Sequence, residues 1–191
     1  YFGVLDKKID VFQFDNKKDL KVFSNMHTYP EWVNGFCSGA RYYQYGIIKS
    51  KKRLTHELCH VFISNITTRQ IPNWFNEGLC EYLAFWEEVN ENLFRLMKRK
   101  ELVEFQKMTG VYKHSLLEFD NSQPYKNIAY QQSASLLAFL INDFGFGVIL
   151  NVLRSKEKDF YEELKAQTGY SFSKLIYRWE IKTLGKRKPF N

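Results

Sequence analysis

The sequence predicts an α+β protein: a small, mostly antiparallel N-terminal sheet packed on a helix that carries His56-Glu57-Leu58-Cys59-His60, followed by a helical C-terminal half. Three observations lead there. Segments with strand-like alternation are confined to the region before Ser50. From Lys51 onward, apolar residues recur at helical spacing. With 4 Pro and 10 Gly in 191 residues, long irregular stretches should be few.

The elements follow in order. Ile9-Asp10-Val11-Phe12-Gln13-Phe14 alternates apolar and polar residues as a half-buried strand does. Asp15-Asn16 marks its end, and a short helix is expected around Lys18–Asn25. Gly35–Ser38 and Arg41–Ile48, the latter rich in Tyr and Ile, read as a second and third strand. Leu54, Leu58, Val61 and Phe62 then recur at helical spacing, and Ser50 stands where an N-cap belongs. Lys51, Lys52 and Arg53 fill the first turn, where they oppose the helix dipole. Pro72 and Asn73 punctuate the chain before a second helix, from about Trp74 to Trp86. Ser133, Leu136, Leu137, Leu140, Ile141 and Phe144 form one apolar stripe, which predicts a helix over Asn127–Phe144 ended by Gly145. Further helices are expected around Gly147–Arg154, Asp159–Thr168 and Phe172–Leu184. The 191 residues suit one domain, with the sheet and first long helix over about 1–68 and a helical subdomain over about 69–191.

Composition excludes several classes. Hydrophobic residues at 45% and aromatics at 17% are too many for a disordered chain. No apolar run approaches bilayer length, so no transmembrane segment is expected. Tyr1-Phe2-Gly3-Val4-Leu5 has neither the basic start nor the apolar stretch of a signal peptide, although a start at Tyr1 also suits a chain whose leader was removed for secretion. The net charge of +7 collects at Lys49, Lys51, Lys52 and Arg53, at Lys98, Arg99 and Lys100, and at Lys182, Lys186, Arg187 and Lys188. A lysine-rich solvated surface explains these clusters better than nucleic acid, because no nucleic-acid motif accompanies them. Cys37, Cys59 and Cys80 are odd in number and show no CxxC spacing, so free thiols are expected, which leans towards a reducing, cytoplasmic setting.

The chemistry is in the pentapeptide. On a helix, positions i and i+4 project from one face, so His56 and His60 can bind one Zn²⁺ through their ring nitrogens. Glu57 then sits beside the metal, where it can take a proton from water as general base. A catalytic zinc needs a third protein ligand and an open position. The run Pro72-Asn73-Trp74-Phe75-Asn76-Glu77-Gly78-Leu79-Cys80-Glu81-Tyr82-Leu83 follows downstream.

HELCH followed by WFNEGLCEYL resembles the gluzincin metallopeptidases, and is most similar to their small peptidase-MA-like members. The resemblance implies a gluzincin-like fold, one Zn²⁺ per chain, and a peptide or protein substrate. It makes Glu77 the third ligand and puts Glu81 behind the metal, accepting a hydrogen bond from the other ring nitrogen of His56. Tyr130-Gln131-Gln132-Ser133-Ala134-Ser135 resembles the family segment in which a Tyr opens a helix above the metal. That implies Tyr130 as the hydrogen-bond donor to the oxyanion, with Tyr125 as the competing candidate among 12 tyrosines. In such enzymes an edge strand pairs with extended substrate; Gly35–Ser38 and Arg41–Ile48 both remain candidates. The amine-binding signature of zinc aminopeptidases is not visible, which favours an endopeptidase or a narrow specificity.

Cys59 and Cys80 depart from the small or apolar residues usual beside such a site. Each lies about 100° round its helix from the neighbouring ligand, so packing thiols are expected rather than ligands. His27 and His114 are read as surface or hydrogen-bonded histidines. The alternatives to a peptidase are a catalytically silent zinc-binding or partner-binding module derived from one, a nucleic-acid-associated regulator motivated by the charge, and a zinc hydrolase of non-peptide amides.

Overall fold

The computed structural model describes residues 8–23, 35–47, 50–98 and 123–184. Among these residues the chain forms three strands, β1 (Asp10–Phe14), β2 (Gly35–Ser38) and β3 (Arg41–Tyr45). It also forms seven helices: α1 (Lys17–Phe23), α2 (Lys51–Ile66), α3 (Asn73–Lys98), α4 (Gln123–Phe144), α5 (Phe146–Arg154), α6 (Phe160–Thr168) and α7 (Phe172–Leu184). The α+β class, with a small N-terminal sheet and a helical remainder, is as the sequence predicts. His27, His114, Arg99, Lys100 and Lys186–Lys188 lie outside the described residues, as does the side chain of Tyr125.

The sheet is mixed rather than mostly antiparallel. Its order is β1-β3-β2, with β2 antiparallel to β3 but β1 parallel to it. The two-residue turn Gly39-Ala40 forces the antiparallel hairpin. The long connection from β1 lets β3 insert between β1 and β2, and the inserted strand runs the same way as β1. Alternation of side chains reports which face is buried, not which way a neighbour runs, so this was not legible in the sequence.

Period two gives the sheet two covered faces. Phe36 and Tyr43 are buried with Leu20 of α1, and Phe12 and Phe14 pack beside them. The Phe36 and Phe12 rings stack on Tyr43 at 4.9 and 5.2 Å. Cys37 and Tyr42, paired across β2 and β3, point the other way, towards α2. β3 stops at Tyr45, short of the expected Ile48, because Gly46 turns the chain at φ 70° while its N–H donates to the Phe14 carbonyl.

Two side-chain-to-backbone bonds seat the hairpin on α2: Cys37 Sγ–H donates to the Glu57 carbonyl (2.9 Å), and the Ser64 hydroxyl to the Gly39 carbonyl (3.5 Å). Ser50 caps α2 as expected, its hydroxyl accepting from the Arg53 N–H at 3.3 Å. Lying between the sheet and α3, α2 buries a different set of residues from the predicted stripe. Cys59, Val61 and Ile63 are buried, whereas Leu54, Leu58 and Phe62 are half-buried.

The larger core lies in the helical half. Expected to end near Trp86, α3 instead breaks at Phe85 (φ −131°, ψ 22°) and continues as a second segment to Lys98. Its first turns are buried all round, from Asn73 through Asn76. α4 begins at Gln123, earlier than predicted, and is buried along almost all of Ala129–Leu140 rather than on one stripe. Gly145, at φ 84°, ends it and bends the chain by 108° into α5. Among the described residues no single helix is long and apolar enough to cross a membrane. The Trp179 indole N–H of α7 donates to the Ser135 hydroxyl (3.0 Å), and Arg178 and Lys182 pair with Asp143. Arg69, between α2 and α3, donates to the carbonyls of Val152 (2.7 Å) and Glu157 (2.6 Å), tying the site's helices to the C-terminal body.

Helices α3 and α4 approach closely at Gly78. A Cβ there would lie 2.8 Å from the Ser133 backbone of α4 and 3.0 Å from Leu137 Cδ2. Backbone cannot yield as a side-chain tip can. Gly78→Ala should therefore destabilise by about 1–3 kcal/mol through overpacking, although helix propensity alone would favour Ala by about 1 kcal/mol. Urea denaturation of the two proteins decides the sign; a more stable variant would mean that α4 is not seated against Gly78.

Candidate metal centre

The site is built where α2 and α3 cross. His56 and His60 project from one face of α2, and Glu77 reaches them from the second turn of α3. The three atoms that converge are single and specific. His56 Nε2 and His60 Nε2 are 3.2 Å apart, and Glu77 Oε2 lies 3.3 Å from the first and 3.4 Å from the second. Among the described residues this is the one group of three or more His, Cys, Asp or Glu side chains gathered closely enough to hold a metal ion. Two imidazole nitrogens and a carboxylate oxygen converge on one point, an arrangement that protons or a metal ion between them would satisfy.

The spacing tests the fit. Zinc bonds to His nitrogen and carboxylate oxygen of about 2.0–2.1 Å in a tetrahedron place neighbouring ligands about 3.3–3.4 Å apart. The three observed distances fall on or beside that edge, so the residues fit such an ion. His56, His60 and Glu77 keep 12%, 13% and 15% of their side-chain surface exposed, so the cluster is not fully sealed within the core.

Each imidazole is backed from α3. Glu81 Oε1 lies 3.3 Å from His56 Nδ1, but the pair does not form the hydrogen bond that the family resemblance implies. His60 Nδ1 lies 3.2 Å from the buried Asn76 Oδ1. An ion held at Nε2 would leave the His60 proton on Nδ1, where Asn76 Oδ1 is placed to accept it. Cys80 Sγ stands 3.3 Å from the same nitrogen. Cys59 is buried among apolar residues, as expected for a packing thiol, but Cys80 also touches the back of a proposed ligand. All three cysteines are free.

Electrostatics follow from burial and pairing. Burial alone would lower His56, but its contacts with Glu77 and Glu81 outweigh that and raise it to about 10. His60 is raised in the same way, chiefly by Glu77 working against burial. Burial would raise Glu77, yet the two histidines hold it well below the usual carboxylate range. Glu57 is pushed up by burial, with the histidines opposing. It takes no place in the triangle and shares its surroundings with Cys37 and Tyr42 of the sheet, both pushed up by burial and then by the charge of Glu57. A carboxyl raised towards neutrality beside a cation site suits proton transfer.

Tyr130 lies on α4 with its ring 6.3 Å from that of His56, so the structure brings it to the site's edge. Gly78 sets that distance, because it is where α4 is allowed against α3. Sequence reasoning missed Asn76 and Gly78 as parts of the site, and read Cys80 beside it as a packing thiol. A Gly inside a predicted helix was the available signal for Gly78.

Comparison with protein-family models, with curated proteins and with solved structures finds no match.

Two outcomes are expected. In the metal-free protein at about pH 8, His56 is protonated because its pKa stands near 10, and an incoming ion must displace that proton. Affinity should rise with pH between about 6 and 9, and calorimetry in buffers of different ionisation enthalpy should show net proton release. A flat profile would place the ion elsewhere. Asn76→Ala, which leaves His60 Nδ1 without its acceptor, should weaken metal retention about 10–100-fold against a competing chelator.

Proposed function

We propose that this protein is a zinc-dependent metallopeptidase of the gluzincin type. The observation that carries the reading is the triangle of His56 Nε2, His60 Nε2 and Glu77 Oε2, with sides of 3.2, 3.3 and 3.4 Å, with the half-buried Glu57 directly after His56 on the same helix. The motif HELCH with WFNEGLCEYL adds the family resemblance.

The residues divide the work. His56, His60 and Glu77 would hold one zinc ion per chain, with Glu81 and Asn76 setting the two imidazole orientations. When bound, zinc supplies a Lewis acid that polarises the scissile carbonyl and acidifies water. The Glu57 carboxylate takes a proton from the attacking water and delivers it to the leaving amine nitrogen. The Tyr130 hydroxyl donates to the oxygen on which charge develops, a task for a strong donor without charge of its own. A silent zinc module would need no base, and the position of Glu57 favours the enzyme.

Elemental analysis should find about one zinc per chain in the wild type and clearly weakened retention in Glu77→Ala. Glu57→Gln should keep the metal and lose peptide turnover by orders of magnitude, and Tyr130→Phe should lower kcat about 10²–10³-fold. Wild-type cleavage by Glu57→Gln would refute the mechanism. A protein without zinc, even after reconstitution, would refute the reading as a whole.

A further inference from the structure

Three cations, Lys51, Lys52 and Arg53, stand in the first turn of α2 with no acidic residue in that turn. Cations there oppose the helix dipole. Where a local rule is broken without compensation, function is a common cause. Of the three, Arg53 has the telling position. It precedes His56 by three residues and Glu57 by four, so all three share one side of the helix, with Arg53 one turn before the others.

The side chain of Arg53 is exposed. Its backbone N–H is used by the Ser50 cap, but among the described residues no carboxylate pairs with its guanidinium. Glu57, four residues on, would be the natural partner on a helix. Its charged neighbours are instead His60, His56 and Glu77. Tyr42 of the sheet feels the charges of both Glu57 and Arg53, in opposite directions, and the helical spacing puts those two residues one turn apart on α2.

We propose that Arg53 selects substrates with a carboxylate next to the scissile bond, narrowing the class to acidic peptides. This rests on the peptidase reading. A guanidinium offers a planar fork of donors that matches a carboxylate in a bidentate pair, and an unpaired fork at the rim loses little solvation by doing so. The carboxylate has two sources, an Asp or Glu side chain or a free C-terminus, and the chemistry at Arg53 is the same for both.

The test uses zinc-loaded Glu57→Gln protein, so that peptides bind without being consumed. Fluorophore-labelled peptides are titrated in matched sets and followed by anisotropy. One set carries Asp or Asn at successive positions with an amidated C-terminus; the other has a neutral sequence ending in a free acid or an amide. We expect one acidic form to bind about tenfold more tightly than its neutral twin, a preference that shrinks as salt is raised. The set that shows it identifies the source. Adding Arg53→Gln should abolish the preference, leave the zinc content unchanged and leave the melting temperature equal or higher, because a cation has left the positive end of the dipole. Arg53→Lys should restore part of the preference. A merely structural Arg53 would instead lower the melting temperature and weaken every peptide alike. Binding without acidic preference, or a preference that survives Arg53→Gln, overturns this inference and leaves the peptidase reading standing. If no peptide binds the zinc-loaded protein and the wild type cleaves none, both fall.

Discussion

The arrangement depends on one placement: Glu77 of α3 must bring a single oxygen to within 3.3–3.4 Å of two imidazole nitrogens on α2. An error of one ångström would turn a ligand set into three unrelated polar groups. Precision of that order comes from packed elements rather than loops, and the core supplies it. The first turns of α3 are buried on every side, with Trp74, Phe75, Leu79 and Cys80 at 0–2% exposure, so the helix cannot rotate without emptying the core. Arg69 anchors the link between the two helices to carbonyls in the last turn of α5 and just beyond it. Against α3 lies α4, admitted by the missing side chain of Gly78, and it brings Tyr130 alongside.

That placement has an electrostatic counterpart. A carboxylate buried beside two imidazoles would be costly if unpaired, and each imidazole would resist protonation if alone. Together they invert both tendencies: the histidines rise and Glu77 falls. The cluster is therefore a site for positive charge by construction. Nothing in the apolar core around it requires such a cluster, and a structural role could be filled more cheaply by hydrophobic residues. The physics favours a ligand that arrives as a cation and displaces protons.

Much of this was legible in the sequence because periodicity carries it. The i, i+4 spacing of His56 and His60 fixes a shared helix face regardless of the rest of the fold, and the ends of α5, α6 and α7 follow from apolar spacing and from Gly145. What was not legible depends on the approach of segments distant in sequence. The direction of β1 against β3 leaves no mark on side-chain alternation. Cys80 was judged by its angle from Glu77 on its own helix, whereas its neighbour proved to be His60 on another. Asn76 reads as the unremarkable companion of Glu77 until α2 is beside it. Glu77 itself needed the family resemblance, since no spacing rule links it to His60.

The two halves of the molecule contribute differently to the centre. All three proposed ligands, both side chains behind the imidazoles, and Tyr130 come from helices. The sheet, with its own aromatic cluster around Phe36 and Tyr43, contributes no side chain to the triangle. It reaches the site through Cys37, hydrogen-bonded to the Glu57 carbonyl, and through Tyr42, and both lie by the proposed base rather than by the proposed ligands. Holding a cation and tuning a proton acceptor make different physical demands. The first needs rigid convergence of charged and polar groups, and the second needs controlled dryness around one carboxyl. In this fold the helical core meets the first demand. The buried face of the sheet, laid on the side of α2 that carries Glu57, meets the second.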